Sequence, residues 1–281
     1  MIRITTLVED EREEGAELES EHGLSFLIEK DGRSMLFDTG QSGMFLRNSG
    51  RLGVDLSAVE YVVISHGHYD HSGGFRTLVE SNAAGNFRLV VGQGFFEKKH
   101  VYRSGSLAEN GNDFDEEYLR DRGIPYEVMK EGMREILPGI RLLTDFPRRH
   151  EDERVNPRFK LKREGLLVDD PFEDELLVAV DSPKGQVVLL GCSHPGIKNM
   201  LDAVEERIGG SMYAVLGGTH LKDAPREAIE KSVDYLRRKG IVQAGVSHCT
   251  GSAATAQLRA EHAGFFQNRT GSVFTVSERG S

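Results

Sequence analysis

The sequence predicts an α/β protein in which strands form sheets and helices cover them. Two observations support this prediction. Short apolar runs such as 61–65 (YVVIS) and 186–191 (QVVLLG) alternate with segments of helical periodicity such as 223–240. The first 40 residues, by contrast, hold three strand-like runs with no helix between them. We therefore expect a strand meander at the start of the chain and layered sheets and helices after it.

The elements of the first third are individually recognisable. Two apolar runs flank Asp31-Gly32, a pair typical of a tight β-hairpin. Strands are predicted at 2–8, on both sides of this pair, at 61–65 and at 87–92, and helices at 41–53 and 73–82. From about Phe95 to Pro171 the pattern weakens, and we interpret this stretch as an elaborated insertion with short strands in an otherwise single domain spanning 1–281.

Regular alternation returns in the last third. Strands are predicted at 175–180, 186–191, 212–218 and 241–247, and helices at 194–209, 223–240 and 251–264. The segment 223–240 is the clearest helix, with Asp223 as the predicted N-cap and Gly240 as the stop.

Composition excludes several classes of protein. The chain has 281 residues, 38% of them hydrophobic, and carries a net charge of −10, which opposes nonspecific binding to nucleic acid. No apolar run approaches the ~20 residues of a membrane span. The first residues lack the pattern of a signal peptide, so we expect a cytoplasmic protein without membrane partners. The two cysteines, Cys192 and Cys249, cannot form a disulfide framework.

The stretch 65–74, SHGHYDHSGG, is the strongest functional signal. It places His66, His68, Asp70 and His71 within six residues, directly after a predicted strand. Imidazole nitrogens and carboxylate oxygens are good ligands for divalent ions such as zinc. Two imidazoles in a tight loop can share one ion, and the Asp-His pair that follows can face a second. The sequence therefore predicts a metal site here.

Three further histidines follow predicted strands in the same way. His194, His220 and His248 each lie just beyond an apolar run. Strand ends at one edge of a layered domain converge, so all of these side chains can face one site. Of the remaining histidines, none follows a strand in this way, and we interpret them as structural or surface residues: His22, His100, His150 and His262.

These motifs resemble those of the metallo-β-lactamase superfamily. HGHYDH resembles its His-x-His-x-Asp-His signature, LFDTGQSG its first motif, GCSHPG its third and SHCTG its last histidine motif. The resemblance implies a four-layer αβ/βα sandwich with a metal site at one edge of the paired sheets. It implies that His66, His68 and His194 hold one ion. It implies that Asp70, His71 and His248 hold the other, with Asp38 supporting the loop by hydrogen bonds.

One departure from the family pattern puts the two-metal arrangement in question. Many members have a bridging aspartate where this chain reads LGGTHL, with Thr219 and His220 at that place and Asp223 further on. The chain then binds one or two divalent ions, zinc or alternatively manganese or iron. His220 becomes a candidate for contact with substrate or metal.

The motifs are also similar to a pterin-linked subgroup that contains dihydropteroate-synthase-like and ribofuranosylaminobenzene-5′-phosphate-synthase-like proteins. This implies a hydrolase-type or transferase enzyme acting on a phosphorylated or pyrophosphorylated small molecule. Asp70 and His220 are the catalytic candidates, with 95–171 as a lid over the substrate. Basic residues of that segment are candidates for an anionic substrate group: Lys98, Lys99, His100, Arg148 and Arg149.

Other functions stay open at this point. A phosphodiesterase or esterase, a mononuclear iron oxygenase on the same fold, and a non-catalytic metal- or pterin-binding relative all fit the histidine motif. A serine hydrolase is disfavoured because no Gly-x-Ser-x-Gly motif surrounds Ser193. Cys192 and Cys249 could act as ligands or nucleophiles, but we interpret them as small buried strand-end residues. A homo-oligomer is possible.

Overall fold

Two mixed β-sheets lie face to face in the computed structural model, which describes residues 1–130 and 132–277. The strands are β1 Ile2–Val8, β2 Ser25–Lys30, β3 Arg33–Phe37, β4 Val59–Val63, β5 Arg88–Gly92, β6 Lys99–Arg103, β7 Ser106–Glu109, β8 Tyr126–Met129, β9 Met133–Leu137, β10 Ile140–Leu143, β11 Phe159–Arg163, β12 Leu166–Asp169, β13 Leu177–Ser182, β14 Gly185–Leu190, β15 Met212–Gly218, β16 Gln243–Ser247 and β17 Val273–Val276. The helices are α1 Met44–Arg51, α2 Tyr69–Ser72, α3 Phe75–Ser81, α4 Glu116–Asp121, α5 Ile197–Ile208, α6 Arg226–Arg238 and α7 Gly251–Glu261, with a 3₁₀ turn at His248–Thr250. None of the described helices combines the length and apolar character needed to cross a bilayer.

The first sheet has the strand order β17-β1-β2-β3-β4-β5-β8. Its strands are antiparallel from β17 to β3 and parallel from β3 to β8. The predicted hairpin joins β2 to β3. Asp31 and Gly32 both have positive φ, 50° and 82°, as a type I′ turn requires.

The second sheet has the order β16-β15-β14-β13-β10-β9. It is parallel from β16 to β14 and antiparallel beyond. Each sheet thus has a parallel half, in which the carboxyl ends of neighbouring strands meet at one edge.

Alternating side chains fill the space between the sheets and the space under the helices. In β14, Val187 and Leu189 pack against the first sheet, whereas Val188 and Leu190 pack under the helices of the second. Leu36 of β3 likewise faces the helices of the first sheet. The expected four-layer αβ/βα sandwich is confirmed, since apolar residues in one strand serve two different cores.

The segment 95–171 is divided between different parts of the fold. Strands β8, β9 and β10 belong to the two main sheets, so this part is not an insertion as the weak sequence pattern suggested. A separate four-stranded sheet, β12-β11-β6-β7, holds the rest. Its inner face buries Val101 and Phe159 against Phe172, whereas strands β7 and β12 are exposed throughout.

Two local expectations differ from the structure. Helix α6 begins at Arg226 after Pro225, so Asp223 is not its N-cap; the Asp223 carboxylate accepts from Arg158 at 2.8 Å instead. The short strand β17 lies beyond the last predicted element and closes the first sheet against β1.

A polar cluster ties helix α5 to helix α6. The Asp202 carboxylate accepts from the Tyr235 hydroxyl at 2.6 Å, from His150 Nε2 at 2.7 Å and from Lys239 Nζ at 3.0 Å. Burial would raise the pKa of Asp202, but these donors lower it. His150 therefore has the structural position expected of it.

Candidate metal centre

Loops after five parallel strands meet at the shared edge of the two sheets. The first sheet contributes the loops after β3 and β4, and the second those after β14, β15 and β16. They carry seven of the residues singled out in the sequence: Asp38, His66, His68, His71, His194, His220 and His248. The fold thus brings together side chains that lie up to 210 positions apart in the chain.

His66, His68 and His194 form one group of imidazoles. Their ring centroids are 4.6 to 4.9 Å apart in all three pairs. The Ser65 hydroxyl donates its only proton to Asp38, at 2.9 Å, so it accepts from His66 Nδ1 at 3.0 Å. His66 Nε2 therefore presents a lone pair to the group, 3.0 Å from His68 Nδ1.

Asp70, His71 and His248 form a second group beside the first. Asp70 Oδ2 lies 3.8 Å from His71 Nε2 and 3.4 Å from His248 Nε2. The rings of His66 and His71, one from each group, are 4.3 Å apart. The structure thus brings together the six residues that the resemblance implies as ligands, in the two sets implied.

Asp38 holds this arrangement from behind. It is fully buried and accepts from the Ser65 backbone N–H at 2.6 Å and from His71 Nδ1 at 2.7 Å. A carboxylate only accepts, so Nδ1 of His71 carries the proton and Nε2 is free for a ligand role. Asp38 needs a φ of 61°, a conformation that aspartate tolerates better than most residues.

The glycines after the histidine motif are explained by close packing. A Cβ on Gly74 would lie 2.1 Å from the backbone oxygen of Thr39, and one on Gly73 would lie 2.4 Å from that of Gln41. The loops after β3 and β4 can approach each other only because these two positions lack side chains.

The donor set fits a divalent metal. Within the described part of the chain, four buried imidazole nitrogens lack any hydrogen-bond partner. Nδ1 of His262 is one of them, and the other three belong to this site: Nε2 of His68, His194 and His248. Burying such atoms unpaired is costly unless a ligand satisfies them. Burial also lowers the pKa of His66, His68 and His194 well below the ordinary value, so these rings are neutral, the form that binds metals.

Two residues from the segment between β1 and β2 complete the site, and sequence reasoning missed them. Asp10 Oδ1 accepts from His248 Nδ1 at 2.6 Å, and its Oδ2 lies 3.0 Å from His22 Nδ1. His22 is a surface residue, as expected, with 43% of its side chain exposed, but its Nε2 also lies 3.2 Å from Asp70 Oδ2, a contact that the sequence did not indicate. Hydrogen bonds to Asp10 and Asp70 raise the pKa of His22 to about 9. The only available signal was the acidic run that follows β1.

Cys192 also lies among the candidate ligands. Its Sγ is grouped with Asp70, His71 and His248, and also with His66 and His194, with ligand atoms in each group within 4.8 Å of one another. The expectation that it is buried holds, since the residue is 4% exposed.

His220 lies at the wall of the site, where the family carboxylate is missing. Its ring is 4.3 Å from that of His194, and burial lowers the pKa of His220 to about 4. Thr219 bonds to the Thr250 hydroxyl at 3.1 Å.

A cavity of about 610 Å³ opens onto these groups. Its wall includes Arg103 and Lys222, with Arg158 stacked on the ring of Phe159, 4.9 Å from its centroid. Tyr69 and Tyr102 add further aromatic surface.

The basic residues predicted to bind substrate lie elsewhere. The carboxyl end of β6 lines the cavity. Lys98 precedes this strand and His100 lies near its start, and neither side chain lines the cavity. Lys99 is buried, with its Nζ 2.8 Å from Asp170 and 3.0 Å from Asp174. Asp174 also accepts from the backbone N–H of Gly67, at 2.7 Å, which fixes the loop between the first two histidines.

Arg148 and Arg149 also face away from the cavity. Arg148 donates to the backbone oxygens of Pro171, at 2.6 Å, and of His194, at 3.4 Å. Arg149 pairs with Glu206 on the surface. The segment 95–171 does supply cations to the cavity, but they are Arg103 and Arg158.

The fold and the site define a four-layer αβ/βα protein with a histidine-rich candidate metal centre at the sheet edge. Comparison with known proteins agrees, because residues 20–192 match the family model of the metallo-beta-lactamase superfamily. The chain belongs to this superfamily.

Its relatives narrow the comparison. The chain is 31% identical over 268 residues to the 7,8-dihydropterin-6-methyl-4-(beta-D-ribofuranosyl)-aminobenzene-5′-phosphate synthase of Methanocaldococcus jannaschii, covering 90% of this chain and 89% of that protein. An uncharacterized protein of the same organism is 29% identical over 244 residues, covering 85% of this chain and 88% of its own. The crystal structure of Tm1679, a metal-dependent hydrolase of the beta-lactamase superfamily, superposes with a TM-score of 0.85 at 32% identity, covering 99% of this chain and all of that one. The pterin-linked resemblance is thus confirmed as a resemblance.

Proposed function

We propose that this protein is a metal-dependent enzyme that acts on a small molecule carrying a phosphate or diphosphate group. The carrying observation is the cavity, which combines unpartnered imidazole nitrogens with the cations Arg103 and Lys222 in a chain of net charge −10. A third cation in its wall, Arg158, is paired with Asp223. Cations gathered at one concave site in an acidic protein favour an anionic ligand. The histidine and carboxylate donors favour zinc, with manganese or iron as alternatives.

Metal ions bound by His66, His68, His194, Asp70, His71 and His248 would supply Lewis-acid stabilisation of charge on phosphoryl oxygens. The chain itself would bind and orient the substrate. Arg103 and Lys222 hold a phosphate by charge, and Tyr69 and Tyr102 offer flat surfaces to an aromatic ring. His220, a neutral imidazole at the wall, is the proposed proton acceptor.

Within this function we propose a condensation of the kind that the name of the Methanocaldococcus relative describes. The amine nitrogen of a ribofuranosyl-aminobenzene phosphate attacks the methyl carbon of a dihydropterin methyl diphosphate. The new C–N bond forms as the C–O bond to diphosphate breaks, diphosphate leaves with the electron pair, and the amine loses a proton. A diphosphate suits the cationic wall, and the pterin suits the aromatic one.

The test supplies zinc-loaded protein with the pterin methyl diphosphate, with and without the aminobenzene phosphate. We expect a coupled product by mass spectrometry and an equal amount of diphosphate, only when both substrates are present. Phosphate or diphosphate release without the amine would instead make the protein a hydrolase at the same site. Binding without any turnover would favour a non-catalytic relative and refute the proposal.

A charge variant tests the cavity itself. Lys222→Ala should raise KM for the phosphorylated substrate by about tenfold, an effect of ~1.4 kcal/mol, which is within the range of one charge-assisted contact. Lys231→Ala, an exposed lysine paired with Glu227 on helix α6, is the matched control and should leave KM unchanged. Equal KM values for both variants would show that this cavity does not bind the phosphate.

A further inference from the structure

Cys192 lies between the two groups of candidate ligands. It follows β14. Cys192 forms one group with Asp70, His71 and His248, and a second group with His66 and His194. It is the one residue that these two groups share. We propose that Cys192 is a metal ligand whose thiolate is shared by the two metal positions, in place of the carboxylate missing at LGGTHL. This inference rests on the metal centre of the proposed function.

The distances place Cys192 Sγ close to both groups. Zinc binds sulfur at about 2.3 Å and imidazole nitrogen at about 2.0–2.1 Å, so a sulfur and a nitrogen on one ion lie no more than about 4.4 Å apart. Cys192 Sγ is 3.2 Å from Nε2 of His71, the nitrogen that Asp38 leaves free for a ligand. The same sulfur lies within 4.8 Å of the ligand atoms of His66 and His194 on the other side. No other residue of the described chain belongs to both of these groups.

The local structure supplies no competing bridge at the place where the family carries one. The Thr219 hydroxyl is bonded to Thr250, and the Asp223 carboxylate is paired with Arg158 at the cavity mouth. The unpartnered, buried Nε2 atoms of His194 and His248, one in each group, independently indicate ligands on both sides of the sulfur.

The second cysteine provides an internal control. Cys249 Sγ accepts from the His220 backbone N–H at 3.3 Å and donates to the backbone oxygen of Cys192 at 3.4 Å. Its sulfur is thus committed to two backbone groups, and it belongs to none of the ligand clusters found in the described chain. Because the chain has two cysteines, each single variant leaves one identified thiol.

The experiment loads metal-free protein with Co²⁺ in the presence of a phosphine reductant. Wild type, Cys192→Ser and Cys249→Ser are compared by metal content and by the near-ultraviolet absorption of thiolate-to-cobalt charge transfer. We expect wild type and Cys249→Ser to show this band, since Cys192 is the remaining thiol in the latter. Cys192→Ser should lose the band and bind its cobalt at least roughly tenfold more weakly.

The outcomes separate the inference from the proposed function. Cobalt binding without a charge-transfer band in wild type and Cys249→Ser would overturn the role of Cys192 and leave the metal centre standing. A band that persists in Cys192→Ser would do the same. Absence of cobalt and zinc binding in wild type would overturn the metal centre, and with it both proposals. If Cys192→Ser does not fold, the band in Cys249→Ser alone still decides the assignment.

Discussion

Replacing Asp38 by asparagine tests how its buried carboxylate, which accepts from His71 Nδ1, prepares that ring for a ligand role. The two oxygens of Asp38 accept from three donors: Ser65 N–H on Oδ1, and the Ser65 hydroxyl and His71 Nδ1 on Oδ2. Asparagine keeps the shape and tolerates the positive φ, but it has one oxygen. If the asparagine NH₂ points towards His71, it donates to Nδ1, and the ring must carry its own proton on Nε2, the nitrogen that faces Cys192. If the amide is turned the other way, its NH₂ and the Ser65 N–H are two donors facing each other without an acceptor.

The expected loss of metal affinity in Asp38→Asn follows from the contacts that the substitution leaves intact. The candidate ligand atoms themselves are unchanged, so the loss should match that of removing a hydrogen bond to a ligating histidine, about 10–100-fold in metal affinity, or ~1.4–2.7 kcal/mol. The fold should persist, because Oδ1 or its replacement still satisfies part of the loop after β4.

Metal affinity would be measured by competition with a chromophoric chelator, with thermal unfolding of the metal-free protein in parallel. Asp55→Asn is the matched control, since Asp55 also accepts from the N–H and hydroxyl of a serine, Ser57, at 2.8 and 2.9 Å, but on the surface and without a histidine. Unchanged affinity in a folded Asp38→Asn protein would refute the role assigned to the carboxylate.

Three further predictions concern stability. Lys99→Met leaves two buried carboxylates unpaired and should lower the free energy of unfolding in urea by about 3–5 kcal/mol; a loss below 1 kcal/mol would contradict the pairing. Gly74→Ala should lower the free energy of unfolding by about 1–3 kcal/mol, because the added Cβ meets the backbone of the loop after β3. Gly50→Ala, whose Cβ would lie in open space on α1, should raise it by about 0.5–1 kcal/mol. The reverse order of the two effects would show that the close approach at Gly74 is absent. The pKa of Asp202 is lowered in the folded protein, so its ionised carboxylate stabilises the fold above pH ~4 and this effect disappears at lower pH. The difference in free energy of unfolding between wild type and Asp202→Asn should therefore shrink on acidification. A difference that stays constant with pH would contradict the role of the carboxylate.

Much of the candidate metal centre could be predicted because most of its residues belong to short local sequence patterns. His66, His68, Asp70 and His71 are contiguous, and His194 and His248 each follow an apolar strand. A strand end fixes where the next side chains begin, so periodicity is enough to place them. The fold was predictable for the same reason, since β14 to β16 alternate with clear helices.

The parts that were missed depend on contacts between distant segments. Asp10 and His22 follow β1 in an acidic stretch with no regular period, and they reach the site only because β1 pairs with β2. The cations of 95–171 were misplaced because their positions depend on how the small sheet docks, which no local pattern encodes. Cys192 looked like an ordinary small residue until its sulfur was seen beside His71.

The division of the candidate ligands between the two sheets has a consequence for how the protein folds. His66 and His248 lie 182 residues apart and belong to loops of different sheets. Contacts of such separation carry a large loop-closure cost and form late. A complete site for a divalent ion therefore exists only once both sheets have docked, and the chain must reach that stage on its apolar cores alone. Bound metal would then slow unfolding much more than it accelerates folding.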